Sequence, residues 1–242
     1  MHSLFVRHLI VRVPMLTLIF MMFLKVSNAL GEQPYVGRYD AYTGFEYLDS
    51  PRIDLVERGF ESQAGIRLKD WVSAGFDYGF ATGGTVLTPA LVNSTVQRQL
   101  AELLAQLTSA GLVPHGYALA IPLNSQTQTF SAGTQFAYRH FKLVTLFIRP
   151  DLGAIRELAT PRPRDSVASA IVSQLVPSGT KHDWVAFYGF GGGFELNLSK
   201  HCSLRFQADF VHDHLFDDLL NGRNTVRFSV GPGFQWGRNV AE

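Results

Sequence analysis

The chain predicts an all-β fold, an eight-stranded antiparallel up-and-down transmembrane β-barrel with short helices in its extracellular loops. Three features lead there. From Gly31 onward, segments alternate apolar and polar residues with a period of two, so that side chains two apart share a face. One face of almost every segment is free of charge while the other carries acids and arginines. Short turns and longer loops alternate between the segments, as they do between the two rims of a membrane barrel.

Residues 1–29 read as a secretory signal peptide and stand apart from the fold. Arg7, His8 and Arg12 precede an apolar run over 13–24, and Ser27-Asn28-Ala29 gives a small-x-small cleavage pattern. The run is about a dozen residues, where a spanning helix needs roughly 20. Cleavage is expected after Ala29, leaving 30–242 as one barrel domain. A formal net charge of +1 points to neither nucleic acid nor an acidic substrate. Cys202 is the single cysteine, which excludes an internal disulfide framework and a cysteine-based metal site.

The first strand, 38–48, sets Tyr39, Ala41, Thr43, Phe45 and Tyr47 on the outer face and Arg38, Asp40 and Glu46 on the inner. In the second, 60–68, Phe60, Ala64 and Ile66 face out while Glu61 and Arg67 face in. The third, 72–81, sets Val72, Phe76, Tyr78 and Phe80 against Asp77; the fourth, 129–139, sets Phe130, Phe136 and Tyr138 against Arg139. Val144, Leu146 and Ile148 oppose Arg149 in the fifth, 143–149. The sixth, 184–198, has Trp184, Tyr188, Phe190, Phe194 and Leu196 outside and Glu195 inside, with Gly189 and Gly191 to Gly193 permitting curvature or close packing. Leu204, Phe206 and Phe210 oppose Arg205 and Asp209 in the seventh, 204–211. The eighth, 225–236, shows Val226, Phe228, Val230, Phe234 and Trp236 outside and Arg227 inside.

The inner face therefore carries six acids and six arginines, a balanced charge network. Arginine pairs bidentately with carboxylates and stays charged when partly buried, and eight strands enclose a space that side chains fill. An arginine or lysine on the lipid face at mid-bilayer costs roughly 2–4 kcal/mol, which accounts for the uncharged outer face. A soluble ligand-binding barrel reverses the arrangement, apolar inside and polar outside. Aromatics fall at both rims: Tyr39, Trp71, Tyr138, Phe141 and Trp236 at the turn side, and Tyr47, Phe60, Phe80, Phe130 and Trp184 at the loop side. Short connections fall at 69–71, 139–142 and 199–202, and the expected extracellular loops at about 49–59, 82–128, 150–183 and 212–224.

On these residues the region 38–236 resembles the small eight-stranded outer-membrane barrels of the OmpA/OmpX type of Gram-negative bacteria. Ser229, Gly231, Phe234 and Trp236 match the polar-x-Gly-x-x-hydrophobic-x-aromatic pattern by which that family's last strand is read by the outer-membrane assembly machinery. The resemblance implies a multi-pass position in the cell outer membrane. Two departures stand out: residues 237–242 continue past the final aromatic, and Pro232 lies within the strand, where a missing ladder donor predicts a bulge or distorted closure.

The loop 82–127 is too long to be a simple connection and predicts a helix, capped by Asn93 or Ser94, with an apolar stripe of Val96, Leu100, Leu103, Leu104 and Leu107 that ends near Gly111 and Pro114. A second helix over 167–176 is capped by Asp165 or Ser166, with Ala170, Ile171 and Leu175 on one face. The two stripes are expected to pack together as a lid or to lie on the outer leaflet. His212, Asp213, His214, Asp217 and Asp218 cluster in the last loop, where a weakly cation-bridged acidic loop is the expected meaning and a divalent-metal site the sharper one. His212 or His214 with Asp213 is also the candidate nucleus of a hydrolase or acyltransferase triad, without a visibly paired serine.

The sequence thus reads as a non-enzymatic integral outer-membrane barrel with a salt-bridged, closed lumen and a structural or surface-interaction role. No catalytic residue, cofactor site or metal site is assigned. Its expected partners are the lipid bilayer, the assembly machinery and an extracellular protein or glycan at the loops. A lipid-modifying surface enzyme and a narrow small-solute channel are the alternatives.

Overall fold

In a computed structural model, residues 33–220 and 223–241 are described, so the signal-peptide assignment lies outside them. Eight strands run β1 (Gly37–Ser50), β2 (Leu55–Arg67), β3 (Val72–Leu87), β4 (Ile121–Tyr138), β5 (Val144–Pro161), β6 (Lys181–Asn197), β7 (Cys202–Asp213) and β8 (Arg223–Asn239). Each pairs antiparallel with its neighbours in sequence, and β8 returns to β1 to close the barrel. Closure removes both sheet edges, so every strand has ladder partners on both sides, and β6 rises beyond β7, its residues 181–187 pairing with β5 alone. Among the described residues no helix is long and apolar enough to cross a membrane; the strands do the crossing.

Outer-face alternation holds around the ring. Phe45, Phe76, Ile148, Leu152, Phe190, Phe210, Phe228 and Phe234 are all exposed. At the loop side a chain of rings crosses five strands: Phe60 to Phe80 at 6.0 Å, Phe60 to Tyr78 at 6.0 Å, Tyr78 to Phe130 at 5.2 Å, and Phe130 stacked on Trp184 at 5.7 Å. At the turn side Tyr39 meets Trp236, Trp71 stacks on Phe136, and Tyr138 meets Phe141. Two girdles of amphipathic rings are what the two bilayer interfaces favour.

The strands continue well past the expected loop-side boundaries. The loop expected at 49–59 is a tight connection: β1 reaches Ser50, Pro51–Ile53 form one 3₁₀ turn, and Asp54 adopts a left-handed conformation at φ 51° before β2 begins. Likewise β3 runs on to Leu87, β4 starts at Ile121, β5 ends at Pro161 and β6 begins at Lys181. Pro150 and Pro232 both sit on the outer face of a strand, and the register is the same on either side of each. The distortion expected at Pro232 is found instead at the end of β8: the three residues of β1 from Gly37 to Tyr39 span the four of β8 from Trp236 to Asn239, next to Gly237 at φ 93°. A glycine adopts that conformation without a side-chain penalty.

Two helices follow the strands on the loop side, α1 (Ser94–Ser109) and α2 (Ser166–Leu175). Asn93 caps α1, its side-chain oxygen accepting from the amides of Thr95 and Val96; Asp165 caps α2 by accepting from the amide of Ala168. The α1 stripe is buried through Val96 and Leu100, with Leu103, Leu104 and Leu107 packed against the same cluster. In α2 the buried positions are Val167, Ala168 and Ile171, while Ala170 is exposed, because the phase set by the Asp165 cap turns it to solvent. The two stripes meet in one apolar cluster with Val92, Leu119 and Ile121, which makes the pair a lid over the mouth of the barrel.

Candidate functional site

The inward-facing side chains form three layers. Nearest the turns, Arg205 is held by Glu195, with Nε donating at 2.9 Å, and by Asp40 at 3.5 Å. Its guanidinium lies 5.2 Å from the Tyr42 ring and 5.1 Å from the Phe147 ring, within reach of a cation–π contact with each. Arg67 approaches Asp40 at 3.8 Å and donates to the Gly37 carbonyl at 2.9 Å; Arg139 reaches Glu195 at 4.0 Å.

In the middle layer Arg149 pairs with Asp77, which also accepts from the Ser131 hydroxyl. Arg227 bridges Asp151 and Asp209, each at 3.3 Å, and acts electrostatically on Glu46 and Glu61. Gln63 and Gln207 tie these groups together: Gln63 donates to Glu61 at 2.7 Å, and Gln207 donates to Asp209 at 2.7 Å while accepting from Arg149 at 3.2 Å. Gly191 makes room for this layer, since a Cβ there would lie 1.7 Å from Asp209 Oδ1.

Towards the mouth lies a third layer that the strand pattern does not reveal. Arg223 joins Glu157 at 2.6 Å and Asp213 at 3.1 Å; Ser125 donates to Glu157, and Thr127 to Glu57. Around these ions the inward face turns apolar, with Ile53, Leu55, Ile155, Ala159, Phe187, Val211, Leu215 and Phe216 in one buried cluster. The outward face of the same stretch turns polar, with Thr82, Asn124 and Arg58 exposed. Above the aromatic girdle the outer face thus inverts from apolar to polar, while the interior gains an apolar cluster around its ions.

Eleven of the twelve expected lumen charges lie inside the barrel. Arg38 does not: the register shift beside Gly37 leaves it exposed. Nor is the lumen balanced. Asp40, Glu46, Glu57, Glu61, Asp77, Asp151, Glu157, Glu195, Asp209 and Asp213 are buried against Arg67, Arg139, Arg149, Arg205, Arg223 and Arg227, a formal excess of four carboxylates among the described residues. The expected balance fails in three places: the third layer adds Glu57, Glu157 and Asp213 but one arginine, the middle layer adds Asp151, and Arg38 is lost from the interior.

Both ends of the lumen are covered. At the turn side Gln33 is tucked in, donating to the Thr145 hydroxyl at 2.7 Å and accepting from Arg139 at 3.3 Å, with Val36 buried beside β8. At the mouth the lid is tied to the last loop: Asn93 donates its backbone amide to the Leu219 carbonyl at 2.7 Å and its side-chain amide to that of Asp218 at 2.9 Å, and Lys181 pairs with the Asp218 carboxylate. Beneath the lid remains an apolar cavity of ≈ 80 Å³; the gaps left in the charged layers are ≈ 30 and ≈ 10 Å³.

The histidine cluster is not assembled into a triad. Asp213 is fully buried and turned to Arg223 and the amide of Leu215, whereas His212 faces Asn224 at 2.6 Å and the Tyr188 ring, and His214 pairs with exposed Asp217 at 3.1 Å. Alternation along β7 sends Asp213 and His212 to opposite sides of the wall. Among the described residues no three His, Cys, Asp or Glu side chains stand where they would hold a metal.

A closed barrel with an uncharged, aromatic-girdled outer belt and ionised groups inside is an integral β-barrel of the outer-membrane type. No protein-family model matches the chain, and no curated protein is similar to it. Among solved structures, Neisserial surface protein A is similar at a TM-score of 0.50 and 10% identity, over 82% of this chain and 96% of that one. Also similar are the attachment invasion locus protein Ail of Yersinia pestis (TM-score 0.46, 9% identity, 82% and 97% covered) and the outer membrane protein OprG of Pseudomonas aeruginosa (0.46, 10%, 87% and 100%). At such identities the likeness is one of fold; the membrane placement rests on this chain's own outer face.

Proposed function

We propose that the chain is a closed, non-conducting and non-enzymatic outer-membrane barrel that acts through its extracellular surface, the lid serving as a platform for a protein or glycan partner. One observation carries this reading: the lumen is filled by cross-linked arginines and carboxylates and is covered at both ends, so the exposed chemistry lies on the loops. The outward faces of α1 and α2 present amides and hydroxyls, among them Gln97, Gln99, Gln106, Ser173 and Gln174, which are hydrogen-bonding groups suited to a polar partner. The test is conductance of the folded protein in a planar bilayer. The account expects no discrete steps for the native chain; steps that persist with the lid in place would overturn it.

Ser229, Gly231, Phe234 and Trp236 are assigned in the same reading as the signal for the assembly machinery. Phe234 and Trp236 project from the outer face and are half exposed, free to be read before the barrel closes. Trp236→Ala is expected to lower the amount of barrel in the outer membrane while refolding from urea into lipid proceeds as before. Equal loss in both would make the residue merely structural.

A further inference from the structure

Exposed charges are sorted differently at the two ends of the barrel. At the mouth they are mixed: Arg52, Arg98 and Arg164 stand close in the chain to Asp54, Glu102 and Asp165. At the turn side Arg38, Lys69, Lys142, Lys200 and Arg238 are exposed against a single exposed acid, Asp70, among the described residues. Among those residues none of the five cations pairs with a carboxylate. Lys69 and Lys200 lie instead over aromatic rings, 5.9 Å from that of Trp71 and 4.4 Å from that of Tyr35.

The cations are spread around the rim, at each place where strands join on this side. Lys69 lies between β2 and β3, Lys142 between β4 and β5, Lys200 between β6 and β7, and Arg38 with Arg238 where β8 closes on β1. Each has an exposed apolar or aromatic neighbour: Leu68 and Trp71 flank Lys69, Tyr138 precedes Lys142, Leu198 precedes Lys200, and Tyr39 and Trp236 adjoin the two arginines. Amphipathic rings settle at the headgroup level, which sets the cations among the headgroups themselves. A folded protein would meet a patch on one side of the rim, whereas a complete ring of cations suits a partner that surrounds the barrel. A zwitterionic headgroup brings its own ammonium; an anionic one leaves its phosphate charge for the lysine. We propose that the turn-side rim binds anionic phospholipid, each lysine taking a headgroup phosphate while its apolar neighbour packs against the acyl chain. The site rests on the transmembrane placement and is independent of what the lid binds.

The experiment measures lipid selectivity by electron spin resonance. The barrel is folded in phosphatidylcholine vesicles, and chain-labelled phosphatidylglycerol or phosphatidylcholine is added as the probe. The fraction of probe slowed at the protein surface is expected to give about threefold stronger association for phosphatidylglycerol, because cations near a membrane surface attract anionic lipid. That preference should shrink at high salt. Replacing the lysines together, Lys69→Gln, Lys142→Gln and Lys200→Gln, should remove most of it, while Arg52→Gln, Arg98→Gln and Arg164→Gln at the mouth leave it unchanged. The mobility shift on heating should persist in both variants, which separates a lost site from a lost fold and checks the transmembrane placement by itself. Equal association of the two lipids with the native barrel would overturn the proposal, as would a preference that survives the lysine replacements. Lysine-dependent retention on isolated cell-wall sacculi, with no preference among lipids, would overturn it in favour of the anionic cell wall.

Discussion

The two halves of the barrel wall obey opposite rules. Between the girdles, Phe76, Phe190 and Phe210 face out while Asp77, Arg149 and Asp209 face in; above the loop-side girdle, Asn124 and Arg58 face out while Ile155, Ala159 and Val211 face in. The strands and their register run through both without a break. What changes is the solvent outside. Lipid demands apolar contacts and leaves the interior to paired ions, whereas water accepts polar groups and drives apolar ones inward. The upper half is in effect a small soluble barrel standing on a membrane one.

The comparison can be broken most severely by unpairing a buried ion. Arg227→Leu leaves Asp151 and Asp209 uncompensated and is expected to destabilise the barrel by about 3–5 kcal/mol, read from urea unfolding in lipid vesicles; a change near zero would mean that the middle layer is not a network. Next in size is an apolar deletion in the upper half, where Ile155→Ala should cost about 2–4 kcal/mol in the same assay. An arginine scan of the outer face sharpens the contrast further. Phe210→Arg should cost roughly 2–4 kcal/mol and Asn124→Arg about 0–1, and equal costs would contradict the inversion. Asn93→Ala removes the α1 cap, for about 1 kcal/mol, and should show as faster proteolysis within the lid while the barrel resists. The smallest perturbation is topological. A membrane-impermeant maleimide should label Gln99→Cys on intact cells, whereas native Cys202, at the turn side, should react after cell breakage.

The membrane half was legible in the sequence because each face holds one kind of residue over several alternations, as in β3 from Val72 to Phe80. The upper half was not, since Leu55, Glu57 and Gly59, or Ile155, Glu157 and Ala159, mix apolar and ionic residues on one face and read as loop. Asp151 lies beyond the expected end of the fifth strand at Arg149, but Pro150 sits on the outer face and β5 runs through it. Arg38 satisfies the alternation but is displaced by a bulge that depends on Gly237, almost two hundred residues away. Both helix caps could be read locally, because Asn93 and Asp165 bind amides two or three residues on. Where the lid packs could not be, since its partners Leu119 and Ile121 lie just before and at the start of β4 and Leu219 lies about a hundred residues further on.

The most direct test of a closed transmembrane barrel is the migration of the protein, taken from an outer-membrane fraction, on a detergent gel with and without boiling. A closed barrel keeps its fold in detergent until heated, so the account predicts a clear shift in mobility on boiling. A protein recovered in the soluble periplasmic fraction, with one mobility under both conditions, would contradict it.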